Sequence, residues 1–125
     1  MGVMAFTAHY DYLVYDMIVA KVPSPGDVES WARGLLASIG VQVFDRALHE
    51  FMSPVEDSHA FTLMLVLSAS HMAVHTAPEF GWVHLAFAFC DGYQHREVID
   101  ASVRSFFSPT NEARPKDIRC GAEAT

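Results

Sequence analysis

The stretch Ala60 to Cys90 reads AFTLMLVLSASHMAVHTAPEFGWVHLAFAFC. Ala60 to Ala69 is a nearly continuous apolar run, as expected of a strand central in a sheet. Met72 to Ala77 reads as a short strand that Pro78 stops. Trp82 to Cys90 alternates in part and reads as another strand. Strands this close in sequence, joined by tight turns, pair antiparallel.

Working outward, Ala5 to Val19 is rich in aromatic and β-branched residues and reads as a first strand ending near Asp16. Pro23 and Pro25 mark a loop. Ser24 has the character of a helix N-cap, with Pro25 at the first helical position and Asp27 two residues on. Val28, Trp31, Leu35 and Ile39 recur at helical spacing, and Gly40 provides the stop. Val41 to Phe51 alternates as a second strand until Ser53-Pro54. On the other side, Asp91-Gly92 marks a turn, and His95 to Phe107 forms a second amphipathic helix. Ile118 to Cys120 could add a short strand, and Gly121 to Thr125 reads as a frayed end. The order implies one domain over residues 1–125. It would be a two-layer α/β (α+β) sandwich, with a mainly antiparallel sheet and two helices on one face. The other face stays uncovered, which calls for a partner subunit.

Of the 125 residues, 51% are hydrophobic and nine are Phe, enough for a core without disulfides or metal. A net charge of −7 argues against nonspecific nucleic-acid binding and against an anionic membrane surface. The charge would tolerate a small cationic ligand. Cys90 and Cys120 make neither a disulfide framework nor a zinc pattern, and Cys120 in a polar tail is incidental. His9, His49, His59, His84 and His95 lack metal-ligand spacing. No apolar run could span a bilayer, and the first residues lack a signal-peptide pattern, so a reducing cytoplasm is expected.

Taken singly, Ser70 is a turn serine, His75 a strand histidine, Thr62 a β-former, Glu79 a loop carboxylate and Cys90 a buried small apolar residue. Their spacing says more. Ala69-Ser70-His71 is followed by His75-Thr76-Ala77-Pro78-Glu79-Phe80-Gly81 and then by a strand ending in Phe89-Cys90. Folded as a hairpin and its next strand, this spacing would bring Ser70, His75 and Cys90 together. The pattern resembles that of the prokaryotic S-adenosylmethionine decarboxylases, which carry E-S-H, then H-T-W-P-E-Y-G, then T-C at matching intervals. Thr62, eight positions before Ser70, falls where that family has a hydroxyl residue. Phe51 with Ser53-Pro54 is similar to its F-S-P, and His9 and Tyr15 match a His and a Tyr of its first strand. The resemblance is specific from Thr62 to Cys90 and loose elsewhere between His9 and Phe107.

The resemblance implies a proenzyme that cuts itself between Ala69 and Ser70, leaving residues 1–69 and 70–125. Ser70 would become an N-terminal pyruvoyl group, an electron sink that replaces pyridoxal phosphate and forms a Schiff base with the substrate amine. His75 would take the Ser70 α-proton during processing. Thr62 would support the processing intermediate by hydrogen bonding. Cys90 would return a proton to the product, and Glu79 would bind the ribose hydroxyls of S-adenosylmethionine. His71 shapes the turn. No metal is implied. The expected assembly is a homodimer of cleaved protomers, and the expected pathway is the route to spermidine.

Three positions depart from the family: Ala69 stands for Glu, Ala77 for Trp, and Leu13 for an acidic residue common there. Cleavage needs only the Ala69 carbonyl, so Ala69 puts the rate in question rather than the reaction. Together these changes keep the pyruvoyl machinery while altering its surroundings. They open a second reading, a pyruvoyl-dependent decarboxylase of arginine or ornithine. A third reading is an unprocessed paralogue that binds or regulates. Retention of Ser70, His75 and Cys90 weighs against it.

Overall fold

The computed structural model describes residues 6–90 and 95–124. They form six strands and two α-helices: β1 (Phe6–Ile18), α1 (Pro25–Ser38), β2 (Val43–Phe51), β3 (Ala60–Leu67), β4 (Ser70–Ala77), β5 (Trp82–Phe89), α2 (Arg96–Phe107) and β6 (Lys116–Ala124). A single 3₁₀ turn, Pro78–Phe80, joins β4 to β5. The expected Asp91-Gly92 turn lies outside the described residues.

The sheet order is β2-β3-β4-β5-β1-β6, and each neighbouring pair is antiparallel. Chemistry at the ends of α1 agrees with its pattern. The Ser24 hydroxyl accepts the Asp27 N–H at 3.1 Å, and Pro25 opens the helix. Both helices pack on one sheet face. Val28, Ala32, Leu36, Ile99 and Val103 meet Leu13, Tyr15, Met17, Leu63, Leu65, Val74, Leu85 and Phe87 in one core. Each fully buried Leu or Phe there contributes about 1.5–3 kcal/mol of transfer free energy. Trp31 of α1 stacks on Phe106 of α2 at 5.0 Å and donates its indole N–H to Ser102 Oγ at 2.9 Å, locking the helices to each other. Buried Tyr15 donates its hydroxyl to Asp100 Oδ1 at 2.9 Å, tying α2 to β1.

This is the expected two-layer sandwich, with differences in detail. β1 continues past Asp16 to Ile18, and β4 begins at Ser70 itself. β2 starts at Val43, with a bulge between Val43 and Asp45. β3 is not central but second from an edge, and its Met64 and Val66 stay uncovered despite their apolarity. The tail departs most from expectation. Lys116–Ala124 is a nine-residue edge strand paired with β1 from Phe6↔Ala124 to Val14↔Lys116. Backbone hydrogen bonds to the open edge of β1 order it, assisted by Arg119, which donates to buried Asp11 at 2.7 Å.

The second sheet face carries Tyr10, Tyr12, Val14, Asp16, Ile18, Met64, Val66, Trp82 and Ile118, because directly paired residues share a face. No helix among the described residues covers it. Met64 and Val66 are 43% and 50% exposed.

Candidate functional site

The turn between β3 and β4 is tight. Leu67 pairs with Ser70, leaving only Ser68 and Ala69 at the tip. The tip is held from both sides. The Ser68 N–H donates to the Gln42 carbonyl at 2.9 Å, and the Gln42 N–H returns a bond to Ser68 Oγ at 3.0 Å. On the other side, the Cys90 N–H donates to the Ala69 carbonyl at 3.0 Å. Ser70 has φ 141°, a region that favours glycine and strains any residue with a Cβ. Its hydroxyl meets His71 Nδ1 at 3.0 Å, and the His71 ring packs edge-on against Tyr12 at 6.0 Å. Cys90 is exposed at the end of β5, not buried as a small apolar residue would be.

Ala69, Ser70 and Cys90 thus meet at one end of the sheet, and His75 does not join them. Five residues along β4 carry it roughly 16 Å away, at about 3.3 Å per residue. The expectation that one chain gathers Ser70, His75 and Cys90 holds for Cys90 and fails for His75, because an extended strand separates residues in proportion to their spacing.

His75 sits in a row across the uncovered face: His49, Thr62, His75, His84 and Asp16, one residue from each of β2, β3, β4, β5 and β1. Thr62 Oγ1 lies 3.0 Å from His75 Nδ1. Partial burial by the flanking strands, followed by the neighbouring His84, holds the His75 imidazole below the ordinary histidine value. Thr62 therefore meets His75, 13 residues away in sequence.

Glu79 projects from the 3₁₀ turn into an open groove shared with Phe51, Met52, Pro54 and Thr76. Gly81 closes that turn at φ 62°, and its carbonyl accepts the Val19 N–H at 2.7 Å. Ala77 pairs directly with Trp82, so an indole stands across the strand from the position where the resemblance expects one. The expected site residues therefore fall into two clusters. Ala69, Ser70 and Cys90 form one, while Thr62, His75 and Glu79 line the other end of β4. No group of three or more His, Cys, Asp or Glu among the described residues is placed to hold a metal ion.

Sequence reasoning passed over His84 and Asp16. Asp16 Oδ1 accepts His84 Nδ1–H at 2.7 Å and Trp82 Nε1–H at 3.0 Å. The signal available was weak: His84 shares the even-numbered face of β5, but its partner lies 68 residues away.

The family profile described as S-adenosylmethionine decarboxylase matches residues 11–115. The fold is also similar to the crystal structure of the adenosylmethionine decarboxylase from Aquifex aeolicus, with a TM-score of 0.68 and 19% identity, covering 91% of this chain and 89% of that one. No curated protein matches.

Proposed function

This chain belongs to the S-adenosylmethionine decarboxylase family, and from that premise we propose that it is a self-processing, pyruvoyl-dependent decarboxylase, with S-adenosylmethionine as substrate in the route to spermidine. The observation that carries the reading is the turn at Ala69-Ser70. There a strained serine follows a carbonyl whose oxygen already accepts a backbone N–H. Attack by Ser70 Oγ on the Ala69 carbonyl carbon breaks the peptide C–N bond and forms an ester. The Cys90 N–H is aimed at the oxygen on which charge develops during that attack. Leaving the φ 141° peptide also releases strain of order 1–3 kcal/mol. Removal of the Ser70 α-proton then expels the Ala69 carboxylate. The resulting dehydroalanine tautomerises, and water releases ammonia to leave the pyruvoyl group on residues 70–125.

The turn suits that group. Ser70 is the first residue of β4, so the new N-terminus would emerge at a strand end beside the Cys90 thiol. A pyruvoyl carbonyl supplies the electron sink for loss of carbon dioxide. Cys90 Sγ would hold the proton delivered to the substrate carbon, and Glu79 in its groove would receive the sugar hydroxyls.

A base for the α-proton must come from elsewhere, because His75 of the same chain is too far away. The uncovered sheet face offers the solution. Two copies pairing these faces about a two-fold axis, with β4 of one running against β4 of the other, would bring Thr62 and His75 of one copy to the end of the sheet where the other carries its Ala69-Ser70 turn and Cys90. The exposed apolar residues Tyr10, Met64, Val66 and Ile118 on that face support a homodimer of this kind.

Ala69 and Ala77 also favour a second reading of the substrate, arginine or ornithine, on the same machinery. Offering the cleaved protein S-adenosylmethionine, arginine and ornithine in parallel, and measuring carbon dioxide release, separates the two. Release from S-adenosylmethionine alone supports the first reading, and release from a basic amino acid alone replaces it. Cleavage with no release from any of the three sets both aside.

A further inference from the structure

Next to Thr62 and His75 the sheet carries a charged unit that the proposed reaction leaves without a task. Asp16 Oδ1 receives two N–H donors, His84 Nδ1 at 2.7 Å and Trp82 Nε1 at 3.0 Å. A carboxylate acceptor fixes the His84 tautomer with its proton on Nδ1. Held at that atom and packed against Trp82 at 5.8 Å, the ring has one orientation. It lies at 28° to the His75 ring with centroids 6.0 Å apart. On the opposite side Thr62 Oγ1 meets His75 Nδ1 at 3.0 Å. The His75 ring therefore stands between a hydroxyl on β3 and a clamped imidazole on β5.

We propose that Asp16, Trp82 and His84 form a positioning unit for His75, fixing the adjacent ring and setting a clamped imidazole beside it so that His75 enters proton transfer as a neutral base. The proposal rests on the reading of His75 as the processing base. His84 touches no reacting atom in this scheme and is a positioning residue.

The charges facing His75 agree with this assignment. From β5 comes His84, and from β1 beyond it Asp16. From β3 comes only the neutral Thr62, and beyond it on β2 lies His49, whose ring packs on Phe51 at 4.5 Å. Glu79 follows on the 3₁₀ turn, and Lys116 of β6 lies near Asp16. Burial pushes the Asp16 carboxyl up, but the bonds from His84 and Trp82 outweigh it and leave the group below its ordinary value. Asp16 is therefore ionised at neutral pH and holds the His84 N–H in place. After burial, the neighbouring His84 is what opposes a proton on His75.

The test follows the His75 Cε1–H resonance against pH in the uncleaved full chain, beside the pH profile of self-cleavage. Three proteins are compared: wild type, His84→Phe, which keeps a flat ring but offers Asp16 no N–H, and His84→Lys, which offers Asp16 an N–H donor again. The unit predicts a His75 midpoint below 6.5 in wild type. It predicts an upward move of about half a unit in His84→Phe and recovery in His84→Lys. The acid limb of cleavage should move with the midpoint, so that His84→Phe cleaves about twofold more slowly near pH 6 and normally near pH 8. Equal His75 midpoints in all three proteins overturn the proposal. A wild-type chain that never cleaves, yet whose His75 midpoint moves as stated, sinks the processing reading and leaves the positioning unit standing.

Discussion

The backbone N–H of Cys90 donates to the carbonyl oxygen of Ala69 at 3.0 Å, so the end of β5 grips the peptide bond that precedes Ser70. The grip keeps the strained turn in place, and two substitutions at Ser70 separate strain from chemistry. Ser70→Ala keeps the Cβ and removes the nucleophile, so it should block cleavage at nearly unchanged stability. Ser70→Gly should also block cleavage but relieve the φ 141° strain, offset in part by the entropy of glycine. A net gain of about 1 kcal/mol in urea unfolding relative to Ser70→Ala is expected. Equal stability of the two would show that the turn stores no strain.

Placement of His75 far from Ser70 on the same strand predicts that processing takes two chains. His75→Ala alone and Ser70→Ala alone should both stay intact. Unfolded together and refolded as a mixture, they should yield cleavage of the His75→Ala chain, which keeps Ser70 and borrows His75 from its partner. An intact mixture that sediments as a dimer would argue against the shared site.

Gly81 closes the turn that presents Glu79. A Cβ there would meet the Val19 carbonyl oxygen at 2.7 Å, and φ is 62°. Gly81→Ala should therefore destabilise the protein by about 2 kcal/mol or more, from both strain and clash. Thermal unfolding measures it. A loss of less than about 0.5 kcal/mol would mean that the backbone there yields easily.

Acid should unfold the chain in two stages. In the fold His75 lies below its ordinary value of 6.5, so the unfolded chain takes up that proton first, and stability begins to fall as pH drops through 6.5. Asp11, Asp16 and Glu29 also lie below their ordinary values. The cause at Asp11 is the hydrogen bond from Arg119. At Glu29, as at Asp16, hydrogen bonds outweigh the upward push of burial, here from Arg33 and Arg46. Folding favours their ionised forms, so their contribution is complete above pH 4.5 and is lost as pH falls through the lower folded values. Urea titrations from pH 8 to 3 should show a shallow first loss, absent in His75→Gln, and a steeper second one. A first loss that persists in His75→Gln would assign it to another group.

Much of the fold was legible because its cues are local. Ser24 and Pro25 mark the start of α1, and alternation marks β5. The apolar run of β3 was legible as a strand but misplaced, since its even residues read as core although they face away from the helices. Within the polar tail only Ile118 to Cys120 suggested a short strand, and the open edge of β1 extends it to Lys116–Ala124. The site followed the same division. Spacing suggested Cys90 near Ser70, and the β4–β5 register carries it to the carbonyl that precedes Ser70. Spacing could not say that His75 lies at the far end of β4, nor that Asp16 meets His84 across two strands.

The central claim is the cut before Ser70, and intact mass of the purified full-length protein under denaturing conditions tests it most directly. The account predicts two chains of 69 and 56 residues, the second beginning with a pyruvoyl group in place of serine. A single chain of 125 residues with an unmodified Ser70, persisting after prolonged incubation of the assembled protein, would contradict it and put the binding or regulatory reading in its place.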